Sequence, residues 1–218
     1  MDTSRLFIAF QLPVELQQHL SQVQKTLRKS APHDAFRWIN PSNTHITLHF
    51  LGDVPRQQID TVIACIQEGC SAAGEVLPKA EKTHGSSRGI RCRLGGLGYF
   101  PHIDKPRVVW MGLNEMTTRN TVDLHARGRI YYQELEKTLA AHGITSDSPR
   151  YAPHITLGYR RRQSGSKETA AVTASWQQGF RSQGLIFSID SMVLFESVVG
   201  EGGREHQALY SEKLTGTP

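Results

Sequence analysis

The tetrapeptide His-Ile-Thr-Leu occurs twice in the chain, in "THITLHFLG" (44–52) and in "APHITLGYR" (152–160). Polar and apolar residues alternate in both copies, which is typical of a half-buried β-strand. Because residues two apart on a strand point to the same face, each copy should present its His and its Thr side by side. The repeat therefore predicts two equivalent strands with matching polar faces.

Strict alternation also assigns the neighbouring side chains of each strand to a face. In the first copy it predicts a polar face of His45, Thr47 and His49 and a core face of Ile46, Leu48 and Phe50. In the second copy it predicts a polar face of His154, Thr156 and Gly158 and a core face of Ile155, Leu157 and Tyr159.

The rest of the chain predicts a mixed order of strands and helices. Apolar patterning predicts strands over 5–12, 90–97, 107–113, 185–197 and 207–214, a further extended piece near 76–82, and helices over 13–29, 55–74, 114–142 and 168–180. The stretches 95–106 and 161–167 are typical of surface loops. The first half has the order strand, helix, HITL strand, helix, strands, and the second half matches it loosely with a long helix, HITL strand, helix, strands. We therefore expect two related α+β halves with equivalent HITL strands.

Composition excludes several classes of protein. The 218 residues suit one large domain or two small lobes that share a core. No run of about 18 apolar residues exists, so no helix should span a membrane. The start "MDTSRLFIAF" lacks the layout of a signal peptide, and we expect a cytoplasmic protein.

Net charge and cysteine content constrain the partners and the cellular compartment only weakly. A net charge of +5 suits a polyanionic partner without requiring one. The three cysteines form no CxxC pair and an odd number suits no disulfide framework, which fits a reducing compartment. Cys65 lies in the apolar run "TVIACI" and should be a core residue.

Two imidazoles from related strands would suit displacement at a tetrahedral centre, where one group removes a proton and another supplies one. The reference pKa of histidine, about 6.5, lets a neutral and a protonated copy coexist near neutral pH. The threonine hydroxyls could donate to the non-bridging oxygens of a phosphate. A His and a Thr on a half-exposed strand are also ordinary surface residues, and the repetition favours the functional interpretation.

A metal site is the alternative use of these histidines. His45, His49 and His154 could supply three ligands, but no carboxylate or Cys lies at ligand spacing and Gly158 stands where a second pair would need its His. We therefore expect no metal and no cofactor. The remaining histidines have no spacing that recruits them and should lie at the surface: His19, His33, His84, His102, His125, His142 and His206.

With these motifs in place, the chain resembles the 2H phosphoesterase superfamily, and within it the RNA 2′,3′-cyclic phosphodiesterase family once called 2′-5′ RNA ligases. The resemblance lies in "RWINPSNTHITLHFLGDV" and "RYAPHITLGYRR", with support from "RLFIAFQLP", "LGGLGYFP", "PRVVWMGL", "LFES" and "ALYSEKL". It covers nearly the whole chain. The stretches 81–89 and 161–168 depart from the family pattern, and "GEGGREHQALY" is a little longer than the family leads us to expect.

The resemblance implies a LigT-like α+β fold: one bilobal domain over 1–218, with two pseudo-symmetric lobes whose antiparallel sheets face a central cleft and whose helices lie outside. It also implies a metal-independent reaction in which water opens the 2′,3′-cyclic phosphate at an RNA 3′ end and leaves a 2′-phosphate. His45 would donate a proton to the leaving 3′ oxygen, His154 would accept a proton from water, and Thr47 and Thr156 would hold the phosphate.

The substrate-binding residues are less constrained. Arg150 matches the family's Arg before the second motif and could bind the phosphate, or it could anchor the turn. Trp38, Tyr99 and Phe10 or Phe7 are candidates to stack on a terminal base, although both phenylalanines also suit the core. Two groups of arginines could follow an RNA backbone or simply be solvated: Arg160, Arg161 and Arg162, and Arg88, Arg91 and Arg93.

The sequence is compatible with three functions. The first is hydrolysis of cyclic phosphate ends of RNA, such as tRNA fragments or oligoribonucleotides, with reversal as 2′-5′ ligation. The second is a 2H phosphodiesterase acting on small cyclic nucleotides or 2′-5′ oligoadenylate. The third is an RNA-end-binding module without turnover, which would not need a paired acid and base. We expect a monomer, since nothing indicates an obligate dimer.

Overall fold

The computed structural model describes residues 2–77, 89–114, 124–148, 150–180, 184–200 and 203–214. The strands are β1 (Thr3–Gln11), β2 (Phe36–Trp38), β3 (His45–Pro55), β4 (Ile90–Phe100), β5 (Val108–Asn114), β6 (Ile155–Arg160), β7 (Ile186–Ile189), β8 (Ser191–Gly200) and β9 (Gly203–Lys213). The helices are α1 (Val14–Ser30), α2 (Ile59–Val76), α3 (Leu124–Ala141) and α4 (Ser166–Gly179), and short 3₁₀ turns precede β3 and α2.

Two antiparallel sheets organise these elements. The first sheet has the strand order β3-β1-β8-β9, and the second has the order β2-β6-β5-β4-β7. Each sheet contains one HITL strand, β3 in the first and β6 in the second. The α+β class with two antiparallel sheets is therefore confirmed.

The two sheets do not correspond to the two halves of the chain. The first sheet joins β1 and β3 to β8 and β9, because β1 pairs with β3 on one side and with β8 on the other. The second sheet takes β2 from the early part of the chain, where Trp38 pairs with Gly158 of β6. Each lobe is thus built from distant parts of the sequence.

Helix α1 shows how the helices cover the sheets. It follows Pro13 and buries an apolar stripe formed by Leu16, Leu20, Val23 and Leu27. Gln24 lies among them, also buried, and its Nε2 donates to the carbonyl oxygens of Ile39 (2.8 Å) and Leu157 (3.0 Å). This amide ties α1 to the segments that carry both HITL motifs.

A single cluster of buried apolar side chains extends through both sheets and all four helices. Leu135 and Leu139 of α3 belong to it, and Cys65 of α2 is fully buried. None of the three cysteines, all of them among the described residues, forms a disulfide. Along the described ranges, no helix combines the length and the apolarity needed to cross a bilayer.

Several element predictions need correction. The stretch 185–197 is not one strand: it divides at Asp190 into β7, which pairs with β4, and β8, which pairs with β1. Residues 95–100 form the end of β4 rather than a loop, because residues 97–100 pair with β5. Gly98 lies opposite Trp110 in this pairing, and its lack of a Cβ leaves room for the indole ring. Helix α2 continues to Val76, and β2 was not predicted. Most of the piece near 76–82 and the start of the helix predicted from 114 lie outside the described residues.

Candidate active site

Strand β3 carries a bulge that changes which side chains face the cleft. Thr47 pairs with Ala9 and His49 pairs with Ile8, so Leu48 is an extra residue between them. Beyond a one-residue bulge, the side chains of a strand exchange faces. His49 is therefore fully buried instead of lying beside Thr47, and Phe50 is 48% exposed instead of lying in the core.

Strand β6 carries the equivalent bulge. Thr156 pairs with Trp110 and Gly158 pairs with Val109, so Leu157 is the extra residue. Gly158 consequently turns to the buried face, and Tyr159 turns outward and is 37% exposed. Both predicted face assignments are thus right for His and Thr and wrong for the two residues that follow the Leu of each tetrapeptide.

One cavity of about 230 Å³ contains both motifs. Its walls include His45 and Thr47 from the first sheet and His154 and Thr156 from the second. The remaining lining residues are Ile39, Asn43, Thr44, Phe50, Phe100, Val108, Tyr159 and His206. This space, called here the reaction cavity, brings together the four residues that strand geometry predicted to be exposed on two separate strands.

The two imidazoles are held in the same way. Nδ1 of His45 lies 2.8 Å from the carbonyl oxygen of Asn43, and Nδ1 of His154 lies 2.7 Å from the carbonyl oxygen of Ala152. Since a carbonyl oxygen only accepts, each Nδ1 carries the hydrogen and donates. Nε2 is then the nitrogen left to exchange a proton with a substrate on both sides of the cavity.

Aromatic rings surround His45. The ring of Phe7 lies 4.8 Å from the imidazole, and Phe195 stacks on Phe7 at 5.2 Å between centroids. His206 of β9 stands edge-on to His45 at 5.3 Å and lines the reaction cavity. These groups remove water from the imidazole and fix its orientation.

A second aromatic group surrounds His154. Phe100 and Trp110 stack on each other at 5.1 Å, and both present their rings to His154, at 5.1 and 5.9 Å. Trp110 can take this position because Gly98 lies opposite it on β4, where a Cβ would overlap the indole ring. The glycine is therefore required by a close approach.

Burial sets the proton affinity of both imidazoles. Loss of water around His45 lowers its pKa to about 4, against the opposing effect of the Asn43 hydrogen bond, and repulsion from His206 and His154 lowers it further. Burial also lowers the pKa of His154 below its ordinary value, again against a backbone hydrogen bond. Burial therefore favours the neutral form of both imidazoles, and a bound anion would favour the protonated form.

Two of the predicted substrate residues lie in the core. Phe10 is fully buried and meets Tyr131 edge-on at 6.1 Å, so it is not available to a base. Tyr99 is 9% exposed and its hydroxyl donates to the carbonyl oxygen of Thr173 (3.0 Å), and burial raises its pKa. Phe7, the alternative to Phe10, is the phenylalanine that reaches the imidazole, because it shares the strand face of Ala9 and Gln11, opposite Thr47 and His45.

Trp38 and Arg150 lie outside the reaction cavity. Trp38 packs against Phe36 and Trp176, with the guanidinium of Arg28 at 5.7 Å over its ring, and lines a separate surface pocket. Arg150 is exposed and is not among the residues that line the cavity. Their proposed contacts with substrate receive no support from this geometry.

The two arginine groups have different environments. Arg160 is bound to the carbonyl oxygens of Pro106 (3.0 Å) and Ser164 (2.7 Å), and Arg161 lies 3.4 Å from Asp34, so both stabilise local structure. Arg162 is exposed. Arg91 and Arg93 are exposed on β4, where Arg93 pairs with Asn114, while Arg88 lies outside the described residues.

Among the cavity residues that sequence reasoning missed are Phe50, Tyr159 and His206. The first two required knowledge of the bulges. For His206, alternation along β9 gave a weak indication that its side chain faces the cavity. His206 pairs with Ser197, which lies two residues after Phe195 on the same face of β8. In the part of the chain that the structure describes, no three His, Cys, Asp or Glu side chains group closely enough to hold a metal ion.

Several known proteins are similar to this chain in sequence or in fold. The family model described as LigT like Phosphoesterase matches residues 10–110, which contain β3 and the first motif. An RNA 2′,3′-cyclic phosphodiesterase of Thermus thermophilus is 28% identical over 209 residues, covering 92% of this chain and 93% of that protein. Residues 10–110 of the chain are thus similar to the LigT-like phosphoesterases.

Other relatives are matched over only part of their own length. An RNA 2′,3′-cyclic phosphodiesterase of Aquifex aeolicus is 30% identical over 122 residues, or 56% of this chain, and one of Geobacillus stearothermophilus is 27% identical over 219 residues, or 100% of it. The chain spans 53% and 60% of those two proteins. Among solved structures, E. coli LigT complexed with 3′-AMP superposes with a TM-score of 0.64 at 20% identity, covering 98% of this chain and 99% of that one, which is agreement of fold.

Proposed function

We propose that this protein is a LigT-like phosphoesterase, and specifically an RNA 2′,3′-cyclic phosphodiesterase that hydrolyses cyclic phosphate ends to 2′-phosphomonoesters without a metal ion. The observation that carries the proposal is the matched pair of Nδ1 hydrogen bonds, which leaves two Nε2 atoms for one cavity. The names of the relatives support the same reaction.

The reaction uses the two imidazoles in opposite protonation states. Nε2 of His154 accepts a proton from a water molecule as the water oxygen bonds to phosphorus. The bond between phosphorus and the 3′ oxygen breaks, and protonated Nε2 of His45 donates to that oxygen. The products are a 2′-phosphate and a 3′-hydroxyl, with His154 protonated and His45 neutral, and exchange with solvent restores both.

The assignment of His45 as the acid and His154 as the base rests on the family resemblance. Thr47 and Thr156 donate to the non-bridging oxygens, on which negative charge grows in the transition state. A 5′-hydroxyl in place of water would yield a 2′-5′ linkage, so the same site would also support ligation. The residues of this mechanism come from one chain, and we infer a single bilobal domain that works as a monomer.

The test is hydrolysis in the presence of EDTA. Purified protein is incubated with an oligoribonucleotide ending in a 2′,3′-cyclic phosphate, and the monoester formed is identified by chromatography. A 2′-phosphate supports the proposal. Absence of turnover, turnover only with added metal, or release of a 3′-phosphate would contradict it.

The histidine roles are tested separately. His45→Ala and His154→Ala should each lower kcat by about 10²–10⁴-fold, the usual contribution of one proton-transfer group. His142→Ala is the matched control, because His142 is exposed at the end of α3 and lines no part of the reaction cavity. A near-normal rate in either active-site variant would contradict the two-histidine mechanism.

A further inference from the structure

A second cavity, of about 370 Å³, opens from the reaction cavity. The two share His45, Phe50, Tyr159 and His206 in their walls. The second space, called here the adjoining cavity, has further walls formed by Arg5, Leu6, Phe7, Gly52, Asp147, Ser197 and Arg204. A ligand whose reacting end lies at the histidines can therefore extend directly into it.

Two exposed arginines stand in this cavity on one face of the first sheet. Arg5 lies two residues before Phe7 on β1, and Arg204 lies two residues before His206 on β9, so each shares the strand face of a cavity residue. Phe7 and His206 both touch His45. Because two residues span about 6.5–7 Å of strand, the guanidinium groups lie one step further from the reacting centre.

Among the described residues, neither guanidinium has a strong protein partner that would compete with a ligand. Arg5 meets Asp53 at 3.9 Å with both side chains more than half exposed, and Arg204 donates to Ser197 Oγ at 3.4 Å. Asp147 adds one carboxylate to the cavity, against two arginines. The cavity therefore favours an anion, and a guanidinium fork suits a phosphate.

The shared walls add two aromatic rings. Phe50 and Tyr159 occupy equivalent positions after the bulges of β3 and β6, and both stay exposed for that reason. The guanidinium of Arg37 lies 5.3 Å over the Tyr159 ring. Aromatic faces bind bases by stacking with little regard to sequence.

We propose that the adjoining cavity is a subsite for the nucleotide that precedes the cyclic phosphate. Arg5 and Arg204 bind the phosphodiester linking that nucleotide to the terminal one, and Phe50 and Tyr159 contact the bases. This inference rests on the proposed function and deepens it: the substrate is an oligoribonucleotide of at least two residues, in preference to a mononucleoside cyclic phosphate.

The test compares kcat/KM for adenosine 2′,3′-cyclic phosphate with kcat/KM for the dinucleotide ApA bearing the same cyclic end. The unchanged protein should prefer the dinucleotide by about tenfold or more, as expected for charge-assisted hydrogen bonds to one additional phosphate. In Arg5→Ala/Arg204→Ala the ratio should fall towards one, because the dinucleotide loses more rate than the mononucleotide.

A matched double variant separates local binding from overall charge. Lys25→Ala/Arg129→Ala removes two exposed cationic side chains that line neither cavity and should keep the preference. Equal kcat/KM for both substrates in the unchanged protein, or a preference that survives the loss of Arg5 and Arg204, overturns the subsite and leaves the hydrolase proposal standing. Failure to hydrolyse either substrate overturns both.

Discussion

Nδ1 of His49 lies 3.0 Å from Oγ of Ser146, across 97 positions of sequence. Nε2 of His49 lies 3.0 Å from the carbonyl oxygen of Tyr132, so Nε2 carries the hydrogen and Nδ1 accepts from the Ser146 hydroxyl. Phe50 N–H donates to Ser148 Oγ at 3.0 Å, and Asp147 N–H donates to the Phe50 carbonyl at 2.8 Å. The bulge of the first motif is thus bonded to the segment that leads into the second.

His49→Leu should therefore weaken both the fold and the site. It leaves the Ser146 hydroxyl and the Tyr132 carbonyl without their partner, a loss of about 1–3 kcal/mol in the free energy of unfolding. It also frees the segment before His154, so kcat should fall. Urea denaturation and steady-state kinetics measure the two effects, and His142→Leu, at an exposed position, should change neither. Full stability in His49→Leu would show that the network contributes nothing.

Acid should destabilise the protein through its buried imidazoles. Burial lowers the pKa values of His45, His49, His154 and His206 in the folded state. Between the ordinary value of about 6.5 and the folded values, the unfolded chain binds more protons, so the free energy of unfolding falls as pH falls. For His45 the loss continues down to about pH 4.

The contribution of His45 can be isolated by replacement. His45→Gln should reduce the drop in the free energy of unfolding between pH 7 and pH 5, because one such group is gone. Denaturation at a series of pH values measures the slope. The same slope in His45→Gln and the unchanged protein would contradict the assignment of a low pKa to His45.

An anion in the reaction cavity should raise the pKa of His45 from its value of about 4, since negative charge nearby favours the imidazolium. A nucleoside 2′-monophosphate, the proposed product, provides that charge. NMR titration of the imidazole resonances with and without the ligand measures the change, and the exposed His142 provides an internal reference. With substrate bound, the pH–rate profile should be bell-shaped, with limbs that belong to the coupled pair.

The threonine hydroxyls are tested by an isosteric change. Thr47→Val and Thr156→Val should each lower kcat/KM by about ten- to a hundredfold, because a hydrogen bond to a charged oxygen contributes about 1.5–3 kcal/mol. Thr3→Val is the control, at an exposed position on β1 outside both cavities. Unchanged kcat/KM in both active-site variants would remove the threonines from phosphate binding.

Gly98→Ala should disturb His154 through Trp110. The added methyl group would overlap the indole ring, which must move from its position beside the imidazole. We expect about 1–3 kcal/mol of destabilisation from overpacking and a lower kcat. Gly96→Ala is a matched control on the same strand, where a Cβ meets no atom within 4 Å. Equal activity in the two variants would show that Trp110 does not position His154.

The repeated tetrapeptide predicted the class of the fold and the four polar residues of the cavity, because alternation on a strand is a local property. It could not place His49, Phe50, Gly158 or Tyr159, since the bulges at Leu48 and Leu157 depend on pairing with neighbouring strands. Predicting the contact of His206 with His45 also required the strand pairing, because β1 and β8 lie between β3 and β9 in the sheet. The division of 185–197 at Asp190 likewise depends on two different partner strands.

The strand order of the first sheet has a consequence for synthesis on the ribosome. Strand β1 lies between β3, which follows it closely, and β8, which emerges only after almost all of the described chain. Chains fold from the N-terminal side as they are made. Until β8 arrives, one edge of β1 is unpaired, and His45 lacks Phe195 and His206 as neighbours. A nascent chain arrested before β8 should therefore lack the proposed activity and be prone to strand-mediated aggregation.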